Sequence, residues 1–343
     1  MTTMTDHGGG PSGGDQPVTG PLLSIEGLRT MVRSRGESFD VVRGLSLDIY
    51  PNEVLCLVGE SGCGKSITAL SIMRLLPTPP VRVREGKIRF RGEDLLSVSG
   101  RRMRSIRADS ISMIFQDPLT SLDPVFTVGD VIVEVIRAHR DVSKGEARRL
   151  AGDALAEVGL PDPSSRLDSY PHQLSGGMRQ RVMIAMALVL DPDILIADEP
   201  TTALDVTVQA QILDQLVTEQ RERNMAMLLI THDLAVVAAV ADRVAVMYAG
   251  EIVEQAPVDE LFEDPRHPYT QGLLRALPKV STTRHRLDPI PGLVPSLQMM
   301  PPGCSFAPRC PHALDRCWTE APELAADQDG RVFRCFNPQP FAG

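Results

Sequence analysis

The sequence predicts an α/β domain in which helices cover a mostly parallel sheet. Short apolar runs of strand length alternate with helical patterns through the middle of the chain, and a glycine-rich loop of the phosphate-binding type joins an apolar run to a helix. Such alternation is typical of parallel sheets, because the crossover helices cover both faces of the sheet.

The elements follow one another from about Leu22. Strands are predicted, from alternating or continuous apolar residues, at 41–49, 54–58, 111–115, 194–197, 227–230 and 244–248. Helices are predicted, from apolar residues at helical spacing, at 65–76, 127–139, 147–158, 177–190, 206–223 and 234–240. Ser143 and Glu146 form a capping-box pattern before the third of these helices.

Composition divides the chain into three parts. Residues 1–20 are rich in Gly, Ser, Thr and Pro and predict a disordered tail. Residues 21–256 carry the alternating pattern. Prolines then recur and periodicity fades, so 257–343 is predicted to be a loop-rich extension. The sequence contains one phosphate-loop motif and no repeat, which predicts a single nucleotide-binding domain.

Charge and hydropathy limit the partners. The net charge is −9 at pH 7 in 343 residues, with a pI of about 5.3, which disfavours nucleic acid. No run approaches the ~20 apolar residues that cross a bilayer, and the chain does not begin like a signal peptide. We therefore expect a cytoplasmic chain, which at a membrane must dock onto an embedded partner.

The phosphate loop is the most specific motif. It reads Gly59-Glu60-Ser61-Gly62-Cys63-Gly64-Lys65-Ser66, and Ile67 follows. The glycines let backbone N–H groups approach phosphate oxygens, and the following helix adds its positive N-terminal end. Lys65 is predicted to neutralise the β- and γ-phosphates of a nucleotide, and the Ser66 hydroxyl to bind Mg²⁺.

Two carboxylates end the strand at 194–197. Asp198 is predicted to hold Mg²⁺, through water, and Glu199 to polarise the attacking water as a general base. A pair of surface carboxylates at a strand end is the structural alternative, which the neighbouring phosphate loop makes less favoured.

Leu174-Ser175-Gly176-Gly177-Met178-Arg179-Gln180 begins a predicted helix and presents free N–H groups, which is again typical of an anion site. One chain does not need two γ-phosphate cradles for one ATP. The sequence therefore predicts that Ser175, Gly176 and Gly177 contact an ATP held by another chain, and hence a dimer with nucleotide at its interface.

These segments occur in the order and spacing of an ABC ATPase domain, which the chain resembles over residues 22–256. The resemblance implies antiparallel N-terminal strands, a helical subdomain at about 120–190, and a head-to-tail dimer that sandwiches two ATP molecules. Gln116 resembles the glutamine that senses Mg²⁺ and the attacking water. Asp205 resembles the aspartate that links the two sites, and His232 the histidine that contacts the γ-phosphate.

The family also stacks adenine on an aromatic residue upstream of the phosphate loop. Phe39 is the nearby candidate, since Tyr50 lies too close to the strand end. A buried strand residue is the alternative for Phe39.

Two classes of ABC protein compete: a transporter motor, and a soluble ATPase that acts on DNA or ribosomes. DNA-type members insert long coiled coils between loop and signature, whereas the interval from Ser66 to Leu174 is too short and carries no sustained heptads. Ribosome-type members carry two such domains in one chain. The sequence therefore favours a transporter.

The kind of transporter is indicated by two regions. Residues 116–124 resemble the segment of peptide-importer ATPases that forms a groove for the coupling helix of the membrane subunit. Residues 257–335 resemble the C-terminal region of dipeptide and oligopeptide importer ATPases, and nickel importers share parts of it. The implied partners are a second motor subunit, identical or a paralogue, two transmembrane permease subunits and, indirectly, an extracytoplasmic peptide-binding protein. A peripheral place on the cytoplasmic face of the cell membrane is implied as well.

Four of the six cysteines, Cys304, Cys310, Cys317 and Cys335, lie in the last forty residues as C-x5-C-x6-C-x17-C. Thiolates suit iron–sulfur clusters or zinc, and structural zinc more often uses C-x2-4-C pairs, which this region lacks. Peptide-importer ATPases of this type are expected to carry a [4Fe–4S] cluster, so the resemblance and the wide spacing favour a structural cluster. Zinc and reduced, unliganded thiols are the alternatives.

Overall fold

A computed structural model of the chain describes residues 20–34, 36–117, 121–202, 205–277, 289–328 and 330–341. The expected tail at 1–20 lies outside these residues except for Gly20, and so do Pro118, Leu119 and Thr120 of the 116–124 segment. None of the helices within the described ranges is long and apolar enough to cross a membrane.

A small antiparallel sheet contains the N-terminal strands in the order β2-β1-β4-β5. Its strands are β1 (Leu23–Ser34), β2 (Glu37–Ile49), β4 (Val81–Phe90) and β5 (Glu93–Asp94). The antiparallel N-terminal strands that the resemblance implied are therefore present, and the predicted strand at 41–49 begins four residues earlier, at Glu37.

A larger sheet runs through the centre in the order β11-β12-β10-β9-β3-β8-β7-β6. Its strands are β3 (Val54–Val58), β6 (Ile111–Ile114), β7 (Ile194–Asp198), β8 (Ala226–Thr231), β9 (Arg243–Tyr248), β10 (Glu251–Pro257), β11 (Ala325–Ala326) and β12 (Val332–Phe333). The five strands from β9 to β6 pair in parallel, which confirms the predicted mostly parallel sheet. The remaining three pair antiparallel at one edge.

Ten helices surround the sheets in the described part of the chain. They are α1 (Lys65–Ile72), α2 (Gly100–Ile106), α3 (Val128–His139), α4 (Lys144–Glu157), α5 (Pro163–Arg166), α6 (Gly176–Leu188), α7 (Val206–Glu222), α8 (Leu234–Val240), α9 (Val258–Glu263) and α10 (Pro268–Arg275). Ser143 caps α4 by accepting the N–H of Glu146, as the capping-box pattern predicted. The helix predicted at 65–76 ends at Ile72, because Arg74 adopts a left-handed conformation, with φ of 51°.

Residues of one strand divide between two apolar layers, because successive side chains point to opposite faces. Val54, Cys56 and Val58 of β3 pack in the layer beneath α3, α4, α6 and α7. Leu55 and Leu57 pack in the layer beneath the small antiparallel sheet. The helices α3 to α6 thus form one helical region on a single face of the larger sheet, within the stretch expected at about 120–190.

The C-terminal part combines the expected loops with a few short regular elements. It forms α9 and α10, and β12 extends the larger sheet by pairing with β10. Pro257 and Pro268 are compatible with these short helices, because Pro257 immediately precedes α9 and Pro268 is the first residue of α10, where a missing N–H removes no intrahelical hydrogen bond. Tyr269 of α10 and Phe306 pack against Tyr248 of β9, with ring centroids 4.6 and 5.2 Å from its ring.

Candidate functional site

The carboxyl ends of four neighbouring parallel strands bring the predicted site residues to one edge of the larger sheet. β3, β8, β7 and β6 lie side by side in that order. Gly59 follows β3, His232 follows β8, Glu199 follows β7, and Gln116 lies two residues after β6. Crevices outside the carboxyl ends of parallel strands are the usual binding sites of open α/β sheets.

The phosphate loop wraps tightly because two of its glycines have no room for a side chain. A Cβ on Gly59 would lie 2.2 Å from the carbonyl oxygen of Met247. A Cβ on Gly64 would lie 2.9 Å from the carbonyl oxygen of Val41, and Gly64 adopts φ of 110°. The loop therefore requires glycine at both positions for steric reasons and, at Gly64, for conformational ones.

Lys65 lies folded back over its own loop. Its side chain is 5% exposed, and Nζ donates to the carbonyl oxygens of Gly59 at 2.7 Å and Glu60 at 3.2 Å. The ammonium group is thus hydrogen-bonded to two carbonyl oxygens of its own loop.

Ser66 and Asp198 bring two oxygen atoms together beneath the loop. The Ser66 hydroxyl donates to Asp198 Oδ1 at 3.1 Å. Burial raises the pKa of the Asp198 carboxyl, which the Ser66 hydrogen bond opposes and the neighbouring Glu199 carboxylate reinforces. Both groups are hard oxygen ligands of the kind that Mg²⁺ prefers.

The Glu199 carboxylate lies at the centre of a set of polar groups. Gln116 Nε2 donates to Glu199 Oε2 at 2.9 Å, and the Thr202 hydroxyl donates to the same oxygen at 3.0 Å. His232 Nδ1 lies 3.4 Å from Glu199 Oε1. The sequence analysis assigned no role to Thr202, although its position three residues after Glu199 brings it within reach.

A cavity of about 350 Å³ connects the loop to these groups. Gly59, Glu60 and Ser61 line it from the loop, and Glu199 and His232 line it from β7 and β8. A larger hollow of about 470 Å³ lies elsewhere, beside Ser71, Arg74 and Arg84, and contains none of the predicted site residues. The cavity at the loop is therefore the candidate functional site.

The predicted dimer-contact residues lie at helix ends. Ser175 caps α6, its hydroxyl accepting the N–H of Met178 at 3.3 Å. Asp205 caps α7, its carboxylate accepting the N–H of Val208 at 3.0 Å. A Cβ on Gly177 would lie 3.0 Å from Val208 Cγ1, so the starts of α6 and α7 are close together, and Gly176 is the first residue of α6.

Phe39 lies on β2, opposite Val32 of β1, and is half-buried. Val41, two residues further along the strand, has its carbonyl oxygen beside Gly64 of the loop. The strand that carries Phe39 thus passes the loop. Tyr50 lies 41% exposed beneath the guanidinium group of Arg243, 5.3 Å from it.

The four C-terminal cysteines lie near one another. The N–H of Cys304 donates to the carbonyl oxygen of Cys317 at 2.8 Å. Burial raises the pKa of the Cys335 thiol to about 12, and the Cys304, Cys310 and Cys317 thiols contribute to the rise. No group of three or more His, Cys, Asp or Glu side chains is nevertheless placed to hold a metal ion in the described residues. The expected metal site is thus not formed there, although the thiols are gathered in one region.

The C-terminal part also contacts the phosphate loop, which the sequence analysis did not foresee. The Tyr269 hydroxyl accepts the N–H of Glu60 at 3.0 Å, and both terminal nitrogens of Arg309 donate to the Glu60 carboxylate. Leu273 of α10 lines the cavity. The acidic residue Glu60 inside a phosphate-binding motif could have indicated this contact, because a carboxylate at that place needs a basic partner.

Comparison with known proteins identifies the family. The sequence family described as "ABC transporter" matches residues 42–202, and the one described as "Oligopeptide/dipeptide transporter, C-terminal region" matches residues 253–317. The dipeptide transport ATP-binding protein DppD of Bacillus subtilis is 50% identical over 315 residues, which cover 92% of this chain and 94% of that protein. The chain belongs to the ATP-binding proteins of ABC transporters.

Other relatives agree with this assignment. DppD of Escherichia coli is 49% identical over 322 residues, 94% of this chain and 98% of that protein. Among solved structures, the dimeric ATP-binding cassette MJ0796 in a post-hydrolysis state, bound to ADP and Pi, superimposes with a TM-score of 0.62 at 27% identity. It covers 69% of this chain and 99% of its own, so this ABC protein has a cassette plus further residues.

Proposed function

We propose that this ABC protein binds Mg–ATP at the phosphate loop and hydrolyses it to energise the import of di- or oligopeptides. The meeting of the loop with Glu199 and His232 in one cavity is the observation that carries this proposal. Two relatives at about 50% identity, named dipeptide transport ATP-binding proteins, support the cargo class.

The triphosphate would lie against the loop from Gly59 to Ile67. Backbone N–H groups of Ser61, Gly62, Cys63 and Gly64 and the N-terminus of α1 supply positive potential to the phosphate oxygens. Lys65 donates to two carbonyl oxygens of the loop, and it would exchange these contacts for phosphate oxygens when the nucleotide binds. Phe39 would stack on adenine from β2.

The metal ligands would be Ser66, Asp198 and Gln116. The Ser66–Asp198 hydrogen bond of 3.1 Å places two oxygen ligands together, and the Gln116 side chain reaches the same region through Glu199. Mg²⁺ bound there supplies charge neutralisation to the phosphates. Asp198 stays buried beneath the loop, where it holds the Ser66 hydroxyl in place.

Hydrolysis would proceed by attack of water on the γ-phosphorus. Glu199 accepts the water proton as the new P–O bond forms and the bond to the β-phosphate oxygen breaks, which leaves ADP and phosphate. Gln116 and Thr202 fix the Glu199 carboxylate by two hydrogen bonds to Oε2, so the other oxygen faces His232 and the cavity. General-base assistance is typically worth about 10²–10⁴-fold in rate.

The site would be completed by a second motor subunit. Ser175, Gly176 and Gly177 present the N-terminal end of α6, which can meet the γ-phosphate of a partner's ATP. Asp205 lies close by at the start of α7. The second subunit is an identical chain or a paralogue, in a head-to-tail dimer.

The membrane partners would be two permease subunits. Their coupling helices would dock near 116–124, and Val125 and Phe126, which immediately follow that segment, are 69% and 49% exposed. The chain then lies peripherally on the cytoplasmic face of the cell membrane. An extracytoplasmic binding protein, rather than this chain, selects the cargo.

A [4Fe–4S] cluster would act as a structural staple, and it would require the four C-terminal cysteines to move from their present positions into one shared ligand set. Four soft thiolate ligands gathered in one region suit such a cluster, and a loop-rich segment gains order from it. Absorption near 400 nm, with iron and sulfide analysis of anaerobically purified protein, tests this. A colourless protein with stoichiometric zinc, or with free thiols, would contradict it.

The hydrolysis proposal is tested by substituting Glu199. Glu199→Gln keeps the shape of the side chain and its hydrogen-bond partners Gln116 and Thr202, but it cannot accept a proton. ATP binding should therefore be retained, turnover should be lost, and the closed dimer should accumulate. Lys65→Ala should lose binding itself. Normal hydrolysis by Glu199→Gln would disprove the role of Glu199.

The cargo proposal is tested by co-purification with the membrane subunits. Short peptides should stimulate ATP hydrolysis of that complex in the presence of the extracytoplasmic binding protein. Stimulation by Ni²⁺ and not by peptides would instead identify a nickel importer, which shares parts of the C-terminal region.

A further inference from the structure

Glu60, the second residue of the phosphate loop, is held from three sides. Its backbone N–H donates to the Tyr269 hydroxyl at 3.0 Å, and its carbonyl oxygen accepts from Lys65 Nζ at 3.2 Å. Its carboxylate accepts two hydrogen bonds from Arg309, at 2.9 and 3.1 Å. Tyr269 and Arg309 both come from the C-terminal part of the chain, more than two hundred residues away.

The Arg309 guanidinium group is rigidly placed. Its side chain is 5% exposed, and Nε donates to the carbonyl oxygen of Pro291 at 3.0 Å. The group lies over the ring of Tyr248, 5.8 Å from its centroid. A bidentate pair with these further contacts is fixed in geometry, unlike an exposed ion pair that samples many conformations.

An acidic side chain lies in the loop that is proposed to take a polyanion. Glu60 lines the cavity that the phosphates would occupy, and an unpaired carboxylate there would repel them. Arg309 supplies the neutralising charge through its bidentate pair with the Glu60 carboxylate, and it is not among the residues that line the cavity.

We propose that Arg309 is a positioning residue for the nucleotide: it neutralises Glu60 and fixes the phosphate loop, so the C-terminal part of the chain sets the affinity for ATP. The proposal rests on the nucleotide binding proposed above. Arg309 immediately precedes Cys310, and its own N–H donates to the carbonyl oxygen of Phe306, so the fold of the cysteine-bearing loop decides where the guanidinium group lies.

Substitutions of Arg309 and Glu60 should change the affinity for Mg–ATP in opposite directions, which the loss of a merely structural contact would not produce. Arg309→Gln leaves Glu60 charged and unpaired, so Mg–ATP affinity should fall about tenfold. Glu60→Gln removes the repulsive charge, so the double variant should recover most of the affinity that Arg309→Gln loses. The loss should also shrink at high salt, since screening weakens the repulsion.

The experiment measures the dissociation constant of a fluorescent ATP analogue, with Mg²⁺, for the wild type, both single variants and the double variant. Thermal melting of each protein is recorded alongside. Arg102→Gln is the matched control, because Arg102 also makes a bidentate pair, through Nε and Nη2, with the Glu93 carboxylate on the exposed surface. Arg309→Lys keeps the charge without the fork and should fall between wild type and Arg309→Gln.

Each outcome decides. Unchanged affinity in Arg309→Gln, or a double variant as weak as Arg309→Gln, overturns the proposal. If Arg309→Gln fails to fold, the folded Arg309→Lys and double variants carry the same comparison with the wild type. A wild-type protein that does not bind the nucleotide would contradict the proposed function instead, so the two failures are distinguishable.

Discussion

His267 makes the attachment of the C-terminal part sensitive to acid. It is 1% exposed and caps α10, the helix that carries Tyr269 to the phosphate loop. Its Nδ1 accepts the N–H of Tyr269 at 3.0 Å, which requires that nitrogen to be unprotonated. Burial lowers the pKa of His267 from 6.5 to about 3, and the positive charge of Arg334 contributes to the shift.

The sign and size of the effect follow from that pKa. Between pH 6.5 and about 3, the unfolded chain binds a proton at this residue that the folded chain excludes. The contribution to stability is therefore complete above pH 6.5 and is lost as the pH falls, at about 1.4 kcal/mol per pH unit at most. From pH 6 to pH 4.5 the loss is about 2 kcal/mol. Glu254, which accepts the N–H of His267, has a raised pKa through burial and acts in the opposite direction.

The assay is urea unfolding of the wild type and His267→Asn at several values between pH 7.5 and 4.5. Asn can still cap the helix but carries no titratable group, so the variant should lose about 1–3 kcal/mol at pH 7.5 from lost packing, and the difference should close as the pH falls. The contribution of Glu254 is common to both proteins. His172→Asn, at an exposed position, serves as the control. A difference in the free energy of unfolding that stays constant with pH would refute the reasoning.

Substitutions at three further positions test other contacts. Gly64→Ala should cost at least about 1–2 kcal/mol in stability and abolish nucleotide binding, because φ is 110° and the new Cβ would lie 2.7 Å from Met247 Cε. Nucleotide binding close to that of the wild type in a fluorescence titration would contradict the steric requirement for glycine in the loop. Gly303→Ala would place a Cβ 2.3 Å from the carbonyl oxygen of Cys317. Both the melting temperature and the ATP affinity should therefore fall. A fall in melting temperature alone would contradict the proposed coupling of the cysteine-bearing loop to the phosphate loop. Asp205→Asn keeps the cap of α7, so it should melt like the wild type while ATP turnover falls. Asp205→Ala should in addition lose about 1 kcal/mol of the free energy of unfolding. Full turnover in Asp205→Asn would show that the aspartate has a capping role only.

The sequence predicted the nucleotide edge of the sheet well because its signals are local. Each strand there is short and rich in buried apolar residues, and each polar residue follows its strand within two positions, as Gln116, Glu199 and His232 do. The parallel pairing then brings these residues together without further information. The roles assigned to them stay predictions until the variants are measured.

Two features of the C-terminal part, its short helices and its contact with Glu60, were not predicted, and each has a physical reason. Its helices are six and eight residues long, too short for a periodic pattern to stand out among the prolines. Its key contact joins Glu60 to Arg309, 249 residues apart, and no local pattern encodes such a pair. Cysteine spacing likewise indicated a shared region for the four thiols but not their distances, so the nature of their ligand stays a prediction.

The position of β3 in the larger sheet supports the proposal that the C-terminal part influences ATP binding through the phosphate loop rather than through Glu199. β3 carries the phosphate loop and lies between two sets of strands. On one side β8, β7 and β6 bring His232, Glu199 and Gln116; on the other, β9, β10 and β12 join the C-terminal part to the sheet. The loop therefore has the site residues His232, Glu199 and Gln116 on one side, and the C-terminal part, which carries Arg309 and Tyr269, on the other. Glu60 belongs to the loop itself, whereas Glu199 follows β7 on the other side of β3. The loss of Arg309 should therefore change the affinity for the nucleotide more than it changes the position of the Glu199 carboxylate. Arg309→Gln should accordingly raise the dissociation constant of ATP more than it lowers turnover at saturating ATP.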